Sequence, residues 1–348
     1  MQHPTPLPLE LLKQVSRSFY LSLRALPSGM REPIALAYLL ARIADTIADT
    51  SAIAASERLD MLQEFYAAIE HGSASADTST HLSVHANATE QRLFKALPDI
   101  LTLLSKSSHQ DKIAIQKVLH TISLGMRFDL EFFPDETSGK VAILNNEEEL
   151  NRYTYSVAGC VGEFWTELMF SHLTLALDKN NMCQLGIRFG QALQLTNILR
   201  DCGSDLRIGR CYLPKTLLDT AGLSVEDLWD GIGRDKFKPV LSSLIHRTLD
   251  HFDAAITYVC LLPRDQIRLR LACLWPIIIG LETLLLITST SQNKQLKLSP
   301  SAVSKIRRRD IYRILFASLF RVSSNYAIQN WARRLRSKVE LVLTELVH

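Results

Sequence analysis

Two aspartate pairs constrain this chain more than any other feature: Asp45-Thr-Ile-Ala-Asp49 and Asp201-Cys-Gly-Ser-Asp205. In each, two carboxylates stand at i and i+4, the spacing that stacks side chains on one face of an α-helix. Like charges so placed repel, and in apolar surroundings the arrangement is locally unfavourable. Hard divalent cations would remove that penalty. Mg²⁺ in particular binds one or two carboxylates and commonly shares its remaining coordination with a substrate phosphate. The pairs therefore call for helices and point to chemistry on a diphosphate.

The rest of the sequence agrees with helices. Helical periodicity dominates, β-hairpin signals are sparse and no linker stands out, so an all-α chain forming a single domain, 1–348, is expected. A helix is expected from Arg31 to Asp49 with Pro33 in its first turn, followed by amphipathic helices at 57–70, 90–105 and 109–131. Residues 71–88, rich in Ser, Ala, Thr and His, read as a flexible loop; His71, His81 and His85 lack the partners of a convincing metal set. A second loop covers Phe133 to Asn146. Glu147 to Leu177 reads as helix, broken or tightly packed at Gly159 and Gly162. Further helices are expected at 181–202, 237–261, 264–288, 301–320 and 324–346, with Gly203, Gly209 and Pro214 marking the loop after the first of these.

Composition narrows the class. With Lys+Arg 39 against Asp+Glu 36, the net charge of +3 is too balanced to argue for nucleic acid. Six scattered cysteines without CxxC spacing suit a reduced cytoplasmic chain better than a disulfide framework. The Pro-rich start, Met1 to Glu10, lacks the apolar run of a signal peptide. Leu271 to Thr288 is long and apolar but carries Pro276, Gly280 and Glu282, so a buried core helix is favoured over a membrane span, and no transmembrane anchor is expected. Arg333, Arg334, Arg336 and Lys338 offer a peripheral membrane contact, against the plainer reading of a solvated face.

The neighbours of each acidic pair sharpen its meaning. Tyr38, Arg42, Asp45 and Asp49 share one face of a helix whose other positions, Leu39, Leu40, Ile43 and Ile47, are apolar. The competing reading is a solvated face with an Arg42–Asp45 or Arg42–Asp49 pair. Gln194, Asn197, Asp201 and Asp205 likewise step along one face, with amide and carboxylate oxygens suited to Mg²⁺ and its waters. Arg200 and Arg210 are cations suited to diphosphate oxygens. Here the competing reading caps the helix at Gly203 and starts a turn at Asp205. Singly each motif is moderate evidence; two copies are much stronger.

At this point the chain resembles the squalene/phytoene synthase family, the head-to-head prenyltransferases. Four blocks carry the resemblance: Ser16-Arg-Ser-Phe19; the Tyr38–Asp49 helix; Tyr153-Thr-Tyr-Ser-Val-Ala-Gly-Cys-Val-Gly162; and Gln194-Leu-Thr-Asn-Ile-Leu-Arg-Asp201, continuing to Asp205 and Gly209-Arg-Cys-Tyr-Leu-Pro214. The resemblance implies an all-α isoprenoid synthase fold, a helix bundle around a central apolar cavity with the two acidic helices facing each other across its mouth. It implies that Asp45, Asp49, Asn197, Asp201 and Asp205 hold Mg²⁺ ions bridging the diphosphates of two farnesyl diphosphate molecules. Ser16, Arg17 and Ser18 match the family's phosphate-binding block, although Ser16 or Ser18 could equally cap a helix. Phe19 matches a cavity-facing aromatic, and Tyr38, Arg42, Gln194, Arg200, Arg210 and Tyr212 join the substrate-binding set. Tyr153 matches the active-site tyrosine that steers a carbocation or assists proton removal; without the resemblance, Tyr153 and Tyr155 read as packed core aromatics.

The implied chemistry begins with ionisation of one diphosphate and closes a cyclopropane. It ends by NADPH reduction to squalene, by proton loss to a phytoene-type product, or by capture of water. There is no GxGxxG, so a Rossmann site is not supported. Lys305-Ile-Arg307-Arg308 resembles a basic block associated with NADPH phosphates, with a solvated basic helix start as the competing reading. That block and Trp275-Pro276 favour the squalene-forming branch over a carotenoid synthase. Ala48 departs from the acidic residue usual in eukaryotic squalene synthases, which leaves the subfamily open. A silent, non-catalytic family member would be expected to lose aspartates that are all present here.

Overall fold

The computed structural model describes residues 9–16, 19–50, 52–72, 87–229, 234–292 and 306–347. In chain order the helices are α1 Leu9–Ser16, α2 Phe19–Ala25, α3 Ser28–Ala48, α4 Ala55–His71, α5 Ala88–Lys95, α6 Leu97–Lys106 and α7 His109–Phe132. Strand β1 Ala142–Ile143 precedes α8 Glu147–Thr154, a π-helical turn Tyr155–Gly159, α9 Cys160–His172 and α10 Lys179–Arg207. After β2 Arg210–Cys211 come α11 Lys215–Thr220, α12 Val225–Trp229, α13 Arg234–Leu261, α14 Ile267–Gln292, α15 Arg308–Leu319 and α16 Asn325–Val347. Two compact units are distinguished: Met1–Phe132 with Glu163–Lys179, and Phe133–Gly162 with Asn180–His348.

In the first unit α3 is the hub, packed by α7, α4, α6, α5, α2 and α1. Its Ile34, Leu36, Leu39, Leu40, Ile43 and Ile47 are at most 3% exposed. Each such side chain contributes about 1.5–3 kcal/mol by leaving water. α3 begins earlier than the sequence suggests. Pro27, with φ −53° and ψ 148°, stops the preceding turn, and its carbonyl accepts from the amide of Met30 at 3.2 Å. Pro33 therefore sits inside the helix rather than in its first turn, buried, where it forgoes one backbone bond.

The helix expected over 90–105 is two helices, broken at Ala96 just before Pro98. A capping box starts the first of them: Asn87 accepts from the amides of Thr89 and Glu90, and Glu90 accepts from the amide of Asn87. Gly72, φ +73°, ends α4 in the left-handed conformation. Most of the loop expected at 71–88, including His81 and His85, lies outside the described residues. Between α7 and α9, Lys117 bridges Glu163 and Glu167 at 3.1 and 2.9 Å, and Asp111 meets His172 at 2.8 Å.

In the second unit, backbones touch where glycines permit it. A Cβ on Gly190 would lie 2.1 Å from the carbonyl oxygen of Ala158, and one on Gly162 would lie 1.8 Å from that of Gly186. The stretch expected to be broken or tightly packed is both: the π-helical turn follows Tyr153-Thr154 and presses directly on α10. α13, α14 and α16 pack together, with α15 against α14. A Cβ on Gly280 would meet the ring of Phe252 at 2.4 Å.

Arg270, fully buried, staples these helices. It donates to the carbonyls of Val322 (2.8 Å) and Leu262 (2.5 Å) and to Oδ1 of Asn325 (2.6 Å), while Asn325 donates to the carbonyl of Cys260 at 2.9 Å. One described helix is long and apolar enough to cross a membrane by length and composition, Ile267–Ser289; 67% of its apolar window is buried inside the protein.

Candidate functional site

In the first unit the polar stripe of α3 runs Tyr38, Arg42, Asp45, Asp49, half-buried as far as Asp45 and exposed at Asp49. Asp49 is the C-cap of α3 and keeps right-handed helical backbone, φ −89°, with its amide bonded to the carbonyl of Asp45 at 2.9 Å. The i,i+4 register of the first pair therefore holds to the helix end. Arg42 pairs with Asp45, as the plainer sequence reading anticipated. The carboxyl of Asp45 nonetheless sits above its ordinary pKa: burial raises it more than the Arg42 guanidinium lowers it, although 43% of the side chain is accessible. A negative charge here is under-solvated, which is the condition a divalent cation relieves.

The same unit carries the N-terminal block. Ser16 is buried at the end of α1, so it does not cap the start of a helix, and its Oγ finds no partner among the described residues. Phe19 stacks on Tyr38 with ring centroids 4.6 Å apart and planes at 25°. Tyr38 donates its hydroxyl to the carbonyl of Val15 at 3.0 Å. Arg17 and Ser18 lie outside the described residues.

In the second unit α10 continues through Gly203 to Arg207, so Asp205 is helical and the reading of Gly203 as a cap is overturned. The helix buries Leu195, Ile198, Leu199 and, beyond the glycine, Leu206. Gln194, Asn197, Asp201 and Asp205 thus form one half-buried line, with Asn197 donating to Oε1 of Gln194 at 3.4 Å. Arg200 holds Asp201 with two bonds, Nε to Oδ1 at 2.9 Å and Nη2 to Oδ2 at 2.5 Å. Arg210, on β2, pairs with Glu136 at 3.2 Å. Residues Ala142 and Ile143 of β1 lie parallel to Arg210 and Cys211 and hold that loop in place.

Tyr212 is where this site gains an aromatic floor. Its ring stacks on Tyr153 at 4.7 Å and meets Phe133 edge-on at 5.0 Å, all three being buried. Beside Asp205 the thiols of Cys202 and Cys211 are held protonated: desolvation raises both, that of Cys211 to about 12. The donors available along α10 are therefore oxygens, as Mg²⁺ requires. Among the described residues no three His, Cys, Asp or Glu side chains converge as a closed metal cage. Each aspartate pair supplies the one or two carboxylates that Mg²⁺ takes when waters and phosphates complete its shell. Each first aspartate also has an arginine beside it.

Glu136 and Phe133 were not singled out from sequence. Both lie in a loop with no periodicity, and only the parallel pairing of β1 with β2 brings that loop to Arg210 and Tyr212. At the other end of the expected site, Lys305 lies outside the described residues. Arg307 is the N-cap of α15 in extended backbone, φ −71° and ψ 147°, and is exposed, as is Arg308. Guanidinium groups at a helix start suit phosphate oxygens.

The all-α chain, with an arginine-backed aspartate pair on each of two helices, has the isoprenoid synthase fold. The model of the squalene/phytoene synthase family matches residues 12–307, and the chain belongs to that family. A bifunctional lycopene cyclase/phytoene synthase of Phaeosphaeria nodorum is 28% identical over 306 residues, covering 85% of this chain and 48% of that protein. A squalene synthase BSS of Botryococcus braunii is 23% identical over 97% of this chain and 69% of its own length. The chain thus spans about half the length of the first of these relatives. Among solved structures, TcSQS bound to the ligand E5700 shares the fold with a TM-score of 0.74 at 20% identity, over 97% of this chain and 96% of the other.

Proposed function

We propose that this chain acts as one prenyl synthase domain that condenses two farnesyl diphosphates head to head, through presqualene diphosphate, to squalene. The observation that carries the reading is the repeated unit Arg42–Asp45…Asp49 and Arg200–Asp201…Asp205 in a chain of this family.

In this reading Asp45 and Asp49 on α3, and Asn197, Asp201 and Asp205 on α10, are the groups that hold Mg²⁺. When bound, Mg²⁺ supplies positive charge to the oxygens of a departing diphosphate. Arg200 and Arg210 then take phosphate oxygens, which asks Arg200 to exchange its grip on Asp201 for a grip on substrate. Ser16, Arg17 and Ser18 add donors to a phosphate, and Arg42 adds charge. The stacked rings of Tyr153 and Tyr212 offer a π-face to an allylic cation, worth about 0.5–2 kcal/mol according to desolvation. Phe19 and Tyr38, stacked on each other in the first unit, offer an aromatic surface to a prenyl chain. NADPH supplies hydride when bound, and Lys305 and Arg307 are the groups proposed to hold its phosphates.

A second reading, a phytoene- or diapophytoene-forming enzyme that ends by proton loss, is favoured by the similarity to the bifunctional lycopene cyclase/phytoene synthase of Phaeosphaeria nodorum. Purified protein incubated with Mg²⁺ and either farnesyl or geranylgeranyl diphosphate, with and without NADPH, separates the two. Squalene formed from farnesyl diphosphate only when NADPH is present supports the first. A desaturated C30 product, hydroxysqualene, or turnover of geranylgeranyl diphosphate alone overturns it.

A further inference from the structure

α15 is an amphipathic helix turned inside out. It packs inward through Ile314 and the small polar Ser318, 1% and 0% exposed. Its outward face carries Tyr312 at 67%, Phe316 at 65% and Leu319 at 56%, and the turn that follows adds Phe320 at 71%. These positions, i, i+4, i+7 and i+8, form one stripe. Tyr326, at the start of α16, extends the same segment and is 75% exposed. Water-exposed aromatics in this number are costly, and a surface helix without a partner would present Ser318 outward and Phe316 inward.

Cations border the stripe. Arg308, Arg309 and Arg313 are exposed; Asp310 lies 4.0 Å from Arg309 and 3.8 Å from Arg313, and Glu282 of α14 also lies 3.8 Å from Arg313. Arg321 lies over the ring of Trp331 at 4.9 Å.

We propose that this face, Tyr312, Phe316, Leu319, Phe320 and Tyr326 with its arginine border, docks on the headgroup boundary of a bilayer containing anionic lipid. Phe and Leu side chains leave water in the outer acyl region. Tyr rings suit the interface with one end apolar and one wet. The guanidinium groups meet lipid phosphates, each basic residue near such a surface contributing favourably. Charge decides between a bilayer and a second copy of the chain: an isologous dimer through this face would set the arginine border against itself. Of the basic residues expected from sequence at Arg333–Lys338, Arg336 is committed to Asp250, Asp253 and Glu340, while Arg333, Arg334 and Lys338 are exposed without a neighbouring aromatic stripe of this kind among the described residues. The proposal is independent of which product the enzyme makes.

The full chain is tested by co-sedimentation with phosphatidylcholine vesicles, with and without phosphatidylserine. Expected is binding that needs phosphatidylserine and weakens with salt. The pair Phe316→Ser and Phe320→Ser should lower partitioning at least tenfold with the helical circular dichroism and farnesyl diphosphate turnover in detergent-free buffer unchanged. Ile113→Ser, which removes an apolar side chain 51% exposed on α7, should leave partitioning unchanged. Equal binding by wild type and the double variant overturns the proposal. So does a concentration-dependent dimer that the same substitutions abolish while vesicles capture neither protein.

Discussion

Arg200 and Asp201, neighbours in sequence, lie side by side in the structure, Nε and Nη2 of the arginine donating to the two carboxylate oxygens at 2.9 and 2.5 Å. The aspartate proposed as an Mg²⁺ ligand is thus already satisfied by the cation proposed to bind diphosphate. Ion and substrate together would have to break this pair, and each partner then finds a new one.

Removing the arginine should therefore move binding and turnover in opposite directions. Arg200→Ala frees Asp201, so Mg²⁺ affinity by titration calorimetry is expected to stay equal or tighten. Diphosphate release from farnesyl diphosphate should fall by about 10²–10³-fold, the loss typical of one electrostatic partner of a developing anion. Arg200→Lys should recover only part of it, since an ammonium cannot reproduce the paired contact. Asp49→Asn and Asp201→Asn are each expected to abolish Mg²⁺-dependent release; unchanged turnover in both would remove the site assignment.

Asp45 carries a stability cost as well as a proposed role. Its carboxyl is raised above the ordinary value of 3.8, first by burial, with Arg42 opposing. A raised carboxyl favours the protonated form in the folded state, so the penalty is absent well below pH 3.8 and grows as pH climbs through the folded value. Asp45→Asn should then raise the metal-free Tm at neutral pH. The gain should be modest, less than about 1 kcal/mol, because the group is partly solvated. It should have no effect at low pH, and it should end turnover. A fall in Tm at pH 7 would contradict this.

Tyr153 offers a clean separation of ring from hydroxyl. Tyr153→Phe preserves the stack on Tyr212 and should leave Tm near wild type; retained turnover would assign the ring to cation stabilisation, and lost turnover the hydroxyl to proton transfer. Tyr153→Ala empties a buried aromatic site and should cost about 3–5 kcal/mol in denaturant unfolding. Equal loss of activity in both variants with no loss of stability in the second would contradict the stacking geometry.

His251 makes the second unit acid-sensitive. Burial, helped by the nearby Arg188 and Arg247, lowers its pKa from 6.5 to about 4. A depressed histidine contributes stability fully present above the unfolded pKa of 6.5 and lost as pH falls toward 4, because only the unfolded chain takes up the proton in that window. The loss amounts to about 3 kcal/mol. Unfolding free energy measured from pH 7 to 4 should fall more steeply in the wild type than in His251→Gln. Parallel curves would refute the assignment.

How far the site could be read from sequence differs from element to element. The periodicity of α3 and α10 placed Asp45 and Asp201 on helical faces, because i,i+4 spacing is a property of one helix alone, whereas the expected helix end at 202 stopped short of Asp205. The competing cap at Gly203 failed because Leu206, one turn beyond the glycine, is buried and α10 stays helical to Arg207. The Tyr153–Tyr212 stack and the Arg210–Glu136 pair were not legible. They depend on a two-residue parallel ladder, Ala142–Ile143 with Arg210–Cys211, too short for a strand signal.

By itself the sequence determined the all-α class, the family and the oxygen-donor chemistry of the aspartate pairs. These follow from local spacing and residue type, which survive any packing. Tertiary structure alone decided that Tyr212 stacks on Tyr153, that Arg270 is a buried staple, and that α15 turns its aromatics outward. Those facts depend on which surfaces meet, and no periodicity within one helix records what its neighbours bury.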